Sequence, residues 1–258
     1  MKRRNFVAGA AAAPVLSMQA QDKPLSIYEF RYYHLRNTLD NQRTRLTDFL
    51  VKSALPAMQK AGAGPVGLFT SSLGPDTPLM LMIASYPGLA GFEQARTKIL
   101  SNQEFMKAAT EFYNAPGLPY QRVESQLIQA FQSMPQIEVP PVAEGKPPRL
   151  FELRTYESNT PVSLRKKIGM FENGEIAIFR KTGLNPVLFG ESIVGRNMPN
   201  LTYMLWHDNL AAREANWRNF ATSAEWRALS KTPGLSDGEV VSNISTVLLS
   251  PVNGSPIR

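Results

Sequence analysis

Two short stretches carry the side chains best suited to chemistry. "YEFRYY" (Tyr28 to Tyr33) and "FELRTY" (Phe151 to Tyr156) each place a carboxylate, a guanidinium and a phenol at alternate positions. The trios are Glu29, Arg31 and Tyr33, and Glu152, Arg154 and Tyr156. Side chains alternate across a strand, so each trio shares one face. Such a trio could hold a polar ligand, with Arg gripping an anion, Tyr donating a proton and Glu acting as base. The competing reading is structural: Glu and Arg neutralise one another, since buried charges need partners. His34 and His207 are the two histidines, and neither sits in a spacing that would ligate a metal. His207 follows Trp206, so together they offer a titratable edge beside an aromatic wall. With no cysteine, disulfides, thiolate nucleophiles and Cys-ligated zinc or iron–sulfur clusters are excluded. "KAGAGP" lacks the Lys-Ser/Thr of a phosphate loop, and no Gly-x-Ser-x-Gly elbow is present.

The elements that position these residues are written twice. "KAGAGPVGLF" matches "KTGLNPVLFG", "SSLG" matches "SIVG", and "SNQEF" matches "TSAEW", in order and at a nearly constant offset. Each copy reads β-α-β-β-α-β, the order of a ferredoxin-like unit. The units are expected over residues 23–133 and 149–251, joined by a Pro-rich linker over 134–148. In the second unit Thr160 caps a helix with Pro161 at its first position. Leu164, Ile168, Phe171 and Ile178 follow at helical spacing, and Gly183 ends the run. Leu46, Leu50, Ala54 and Met58 form the matching face of the first unit, which stops near Gly62. The second helix of each unit is broken by a fresh capping box, Ser101-x-x-Glu104 or Thr222-x-x-Glu225.

Helices cover one face of such a sheet, and the greasier strand set belongs under them. Tyr28, Phe30 and Tyr32, with Phe151, Leu153 and Thr155, are therefore expected to face the helices. The Glu-Arg-Tyr trios are expected on the open faces. Two open faces in one chain invite sheet-to-sheet packing, which gives a barrel with helices outside. The fold class is thus α+β, two tandem ferredoxin-like units closed as an intrachain barrel.

The pattern E-x-R-x-Y, a long helix, "NPVLFGES-IVG", "LW-HDNLAAREA" and "AEWRAL" resembles the NIPSNAP family. The resemblance spans nearly all of the chain after its N-terminal segment, and is fullest in the second unit at Leu205, Trp206, Asp208, Leu210, Arg213 and Glu214. The first unit, with "LMIASYPGLAGFE", lacks the Trp and most of these charges. The resemblance implies the dimeric α/β barrel fold in tandem copies, and architecture more than a reaction. By analogy with other barrels of this fold a histidine could serve a haem, but the expectation is no cofactor.

The N-terminus, "MKRRNFVAGAAAAPVLSMQAQ", has paired Arg3 and Arg4, then a mild apolar stretch and small residues up to Ala20. It reads as a twin-arginine signal peptide over 1–20, so the expected location is exported, periplasmic or secreted from a bacterial cell. Loss of Lys2, Arg3 and Arg4 lowers the formal charge of +7 by three. What is left is a modest balance with no basic stripe interleaved with aromatics, which argues against nucleic acid. No run reaches the roughly 18 apolar residues of a membrane span.

Two function classes follow. The first is a protein that binds a small polar or aromatic molecule in the barrel, and the second a cofactor-independent oxygenase- or isomerase-like enzyme on a small organic substrate. In either case the site is expected in the second unit. Arg154, Tyr156 and Trp206 would hold ligand, and Glu152 or His207 would handle a proton. Glu29, Arg31 and Tyr33 are the weaker copy, and further oligomerisation is left open.

Overall fold

The computed structural model describes residues 24–36, 41–142 and 144–258. The expected signal segment lies outside the described residues. The first unit runs β1 (Ile27–His34), α1 (Gln42–Phe49), a π turn (Leu50–Ala54), α2 (Leu55–Ala61), β2 (Val66–Leu73), β3 (Leu79–Tyr86), α3 (Gly88–Leu100), α4 (Gln103–Asn114) and β4 (Arg122–Ala130). The second runs β5 (Leu150–Glu157), α5 (Pro161–Met170), a π turn (Phe171–Glu175), α6 (Ile176–Lys181), β6 (Asn185–Val194), β7 (Asn200–His207), α7 (Leu210–Thr222), α8 (Ala224–Ser230), α9 (Asp237–Val240) and β8 (Asn243–Pro251).

Local chemistry sets the boundaries. Thr160 accepts from the Ser163 N–H with Pro161 at the first helical position. Gly62 and Gly183 end their helices at φ of 103° and 87°, where a Cβ would be strained. The broken second helices restart one residue later than the capping-box spacing suggests. Asn102 Oδ1 and Ser223 Oγ accept from Phe105 N and Trp226 N at 3.0 and 3.2 Å. Ser101 and Thr222 instead donate to the carbonyls of Thr97 and Arg218 in the preceding turn, so they finish one helix rather than begin the next.

The strands close into one antiparallel barrel in the order β1-β3-β2-β8-β5-β7-β6-β4. Its two seams, β4 with β6 and β2 with β8, join the units and leave no free sheet edge. The Pro-rich linker is partly structural: Met134 and Ile137 are buried, and the Glu138 N–H donates to the Val187 carbonyl. Ile137 and Ile257 both join the lumen core. The Val187 and Leu68 contacts place the linker and the C-terminal segment at the barrel end opposite the β2–β3 and β6–β7 turns.

The faces of the duplicated strand are the reverse of the expectation. Tyr28, Phe30, Tyr32, Phe151 and Leu153 form the lumen core that joins the two units. Tyr156 and Tyr33 belong to the sheet–helix layers, packed with Leu164 and Phe171 or with Leu46 and Met58. An eight-stranded barrel has an interior just wide enough for side chains to fill. Large apolar groups fill it, and a row of charges there would lack partners. The helix layer can supply those partners.

Candidate functional site

In the second unit, Glu152 on β5 is fully buried beneath α7. Its two oxygens accept from Arg213 Nε and Nη2 at 2.9 and 2.6 Å, Trp217 Nε1 at 2.8 Å and Arg154 Nη1 at 3.1 Å. His207 Nε2 lies 3.2 Å from Glu152 Oε2. Burial alone would raise this carboxyl's pKa, but the hydrogen bonds from His207, Arg213 and Trp217 outweigh it and hold the value at about 2. Glu152 is a fixed anion, and its saturated oxygens make it a poor base. Arg154 lies 4.6 Å from the Trp217 ring, and its Nη2 donates to the Tyr156 hydroxyl at 3.3 Å. The Tyr203 hydroxyl donates to Tyr156 at 3.0 Å. Burial raises the pKa of both phenols, so both stay protonated and neutral.

A second buried pair lies in the same layer. Lys167 on α5 is 3.1 Å from Glu175 in the π turn and 3.2 Å from Asp237 on α9. Tyr156, Phe171 and Trp226 surround its ammonium. Burial raises the Glu175 carboxyl to about 7, with Lys167 opposing that rise.

The first unit carries a reduced copy. Arg31 Nε donates to Glu29 Oε1 at 2.6 Å, and the Tyr86 hydroxyl donates to Glu29 Oε2 at 3.1 Å. Tyr33 packs on Tyr120 with ring centres 5.6 Å apart. At the repeat positions of Lys167, Glu175 and Tyr203 stand Leu46, Ala54 and Met82.

Trp206 is separated from the residues it was grouped with. It pairs with Phe151 and packs against the lumen core, with Arg149 4.3 Å from its ring, whereas His207 turns to Glu152 on the other face. The alternation that puts Glu152 under the helices puts Trp206 in the lumen. The structure thus brings Glu152, Arg154, Tyr156 and His207 together in one hydrogen-bonded network, in which the Glu152 oxygens are saturated while Arg154 Nε and His207 Nδ1 are unpartnered among the described residues, and leaves Trp206 out of it.

A different group of residues lines a cavity of about 210 Å³ at the turn end of the barrel. Tyr32, His34 and Gln126 come from the first unit, and Leu153, Thr155 and Arg196 from the second. Glu124 organises this mouth: its carboxylate is 2.8 Å from Arg122 Nε, 2.7 Å from Arg196 Nε and 3.2 Å from His34 Nε2. Burial is opposed by the Arg122 hydrogen bond and the Arg196 charge, and the net effect keeps the Glu124 carboxyl below its ordinary range. His34 is 3% exposed, and among the described residues its Nε2 has no aligned hydrogen bond despite the nearby carboxylate. Burial, then Arg122, pushes the imidazole's pKa down, so it is neutral at pH 7. The Tyr32 hydroxyl reaches Gln126 Oε1 at 3.4 Å, and Gln126 continues through Ser192 to Asn200. Sequence reasoning noticed His34 but not Glu124, Gln126 or Arg196. Alternation places Tyr28, Tyr32 and His34 on one face, and that was the available signal.

His207 turns its Nε2 to Glu152, and His34 Nε2 lies 3.2 Å from Glu124. Among the described residues no group of three or more His, Asp or Glu is placed to hold a metal ion, and no helix is long and apolar enough to cross a membrane.

The family model described as NIPSNAP matches residues 28–133 and 151–256. No curated protein sequence matches the chain. Among solved structures, a Fusobacterium nucleatum protein called "Putative monooxygenase" superposes with a TM-score of 0.61 at 11% identity, over 89% of this chain and 94% of its own. An "anthrone oxidase-like protein" superposes at 0.54 and 11% identity, over 90% and 93%. A NIPSNAP family protein from Agrobacterium tumefaciens matches at 17% identity over 47% of this chain and all of its own, with a TM-score of 0.40. The first two likenesses show a shared fold.

Proposed function

The chain belongs to the NIPSNAP family, and from that premise we propose that it is a ligand-binding protein whose barrel mouth takes a small polar or aromatic molecule. The observation that carries this is the contrast between two polar clusters. The Glu152 oxygens are saturated by donors, so that cluster acts as an internal brace. The mouth has open volume, lined by an apolar wall and by polar side chains from both units. A concave, mostly apolar pocket with a few converging polar groups is the usual form of a small-molecule site. Native mass spectrometry of protein purified from its own host should find a small molecule retained. A Leu153→Trp variant, which fills the mouth, should lose it. Retention by that variant would sink the proposal.

One observation favours the enzymatic alternative. Tyr32 and His34 face the same cavity, which supplies a phenol donor and a neutral imidazole of the kind used for proton transfer. The names of two proteins of like fold point the same way, to oxygenase or oxidase chemistry. Consumption of O₂ or loss of an organic substrate, abolished in His34→Leu, would establish it. We further propose export through a twin-arginine signal over residues 1–20, supported by Arg3 and Arg4 and the mild apolar stretch after them.

A further inference from the structure

We infer that the barrel mouth takes a small monoanion, a carboxylate carried on a single ring, held by the Nη edge of Arg196. This deepens the reading of the mouth as a ligand site and rests on it.

Among the described residues that line the cavity, Arg196 is the only permanent cation. The fold holds it from both ends. Asn200, fully buried on β7, donates from Nδ2 to the carbonyls of Arg196 and Asn197 at 2.8 and 2.9 Å. Its Oδ1 accepts from buried Ser192 on β6, and Ser192 accepts from Gln126 Nε2 on β4. This buried chain ties the β6–β7 turn, and the Arg196 backbone with it, to the first unit. At the other end, Arg196 Nε lies 2.7 Å from Glu124, and the guanidinium carbon lies 5.9 Å from the centre of the Tyr32 ring, which lines the same cavity. Its two Nη nitrogens bond to nothing among the described residues, and the side chain is 54% exposed. A guanidinium is a planar fork of five donors, and its free edge matches the two oxygens of a carboxylate. The first unit has Pro75 at the repeat position, so the mouth carries this fork on one side.

The remaining charges set the limit on the ligand. Arg122 Nε lies 2.8 Å from Glu124, and its Nη2 lies 3.9 Å from Asp76, which also lines the cavity. Two cations and two carboxylates balance, so the mouth has no net charge to draw in a dianion. Asp76 opposes any anion, but at 42% exposed it is screened by solvent. Leu79, Leu153 and Val247 wall a volume of about 210 Å³. A cavity of about 150 Å³ holds benzene, so one ring fits behind the carboxylate.

The test titrates the full chain at pH 7 and low salt with benzoate and benzamide, which share a shape and differ in charge, read by calorimetry or protein-observed NMR. Benzoate should bind about tenfold more tightly than benzamide, and added salt should narrow the gap. Arg196→Gln should bring benzoate down to the level of benzamide. Asp76→Asn keeps the arginine and should tighten benzoate about twofold to fivefold while leaving benzamide unchanged. Leu153→Trp, which fills the mouth, should abolish binding of both probes. Benzamide equalling benzoate, a benzoate preference that survives Arg196→Gln, or weaker benzoate binding by Asp76→Asn overturns the ligand class but leaves the mouth as a site. If neither probe binds, or if Leu153→Trp binds both as the parent does, the mouth is not the site and both readings fall.

Discussion

Replacing Glu152 by Gln tests the claim that the second unit's charged strand is a brace. The side chain keeps its shape but loses its charge, and its new amide nitrogen can only donate toward groups that are themselves donors. Arg213 loses a paired contact, and Trp217 and Arg154 are left donating to a weaker acceptor. Removing one member of a buried charge pair typically costs about 3–5 kcal/mol. Linkage gives a second estimate. A carboxyl moved from 4.5 in the unfolded chain to about 2 in the fold contributes about 3 kcal/mol at neutral pH. Because the folded pKa is depressed, that contribution is present in full above pH 4.5 and is lost as pH falls toward 2. For a chain of this size about 3 kcal/mol corresponds to a melting shift of roughly 6–12 °C. Calorimetric melts should therefore show Glu152→Gln well below the parent at pH 7, with the gap narrowing below pH 4.5. Glu29→Gln should fall by only about 1 kcal/mol, because its guanidinium partner is 39% exposed. A Glu152→Gln melt within 2 °C of the parent at pH 7, or a gap that does not change between pH 6 and pH 3, would refute the reasoning.

Other outcomes follow from the same contacts. Lys167→Leu alone should cost about 3 kcal/mol by stranding buried Glu175. The double variant Lys167→Leu with Glu175→Ala copies the Leu46 and Ala54 of the first unit and should melt near the parent, as measured by denaturant titration. Gly190→Ala should destabilise the β4–β6 seam by about 1–3 kcal/mol in the same titration, because an added Cβ would meet Ile128 and sit 2.6 Å from the Gln129 carbonyl. Replacing Arg3 and Arg4 by Lys should leave the protein in the cytoplasmic fraction, and unchanged export would rule out the twin-arginine route.

The architecture was legible because it rests on short-range signals that the chain repeats. Pro161 after Thr160, Gly62 and Gly183 at helix ends, and the doubled charged strand all act within a few residues. Which face of that strand turns inward was not legible. Both faces are amphiphilic: Tyr28, Phe30 and Tyr32 are greasy, but Tyr33 and Tyr156 also bury. The decision came from Arg213 and Trp217, some sixty residues along the chain from Glu152, which give the carboxylate its partners under α7. The mouth cavity was hidden for a similar reason. Tyr32, Gln126, Leu153 and Arg196 come from four strands or turns of two units, and only barrel closure gathers them. The restart of the second helices at Asn102 and Ser223 was missed by one residue because two adjacent side chains could each have capped.

Methyl- and indole-labelled NMR during ligand titration tests the central claim most directly. The added ligand would be the molecule retained from the host. Resonances of Leu79, Leu153 and Val247 at the mouth should shift with occupancy, while the Trp217 indole N–H, bonded to Glu152 at 2.8 Å, stays in place. Movement of the Trp217 signal with the three mouth residues unchanged would put the site in the charged layer under α7 and contradict the account.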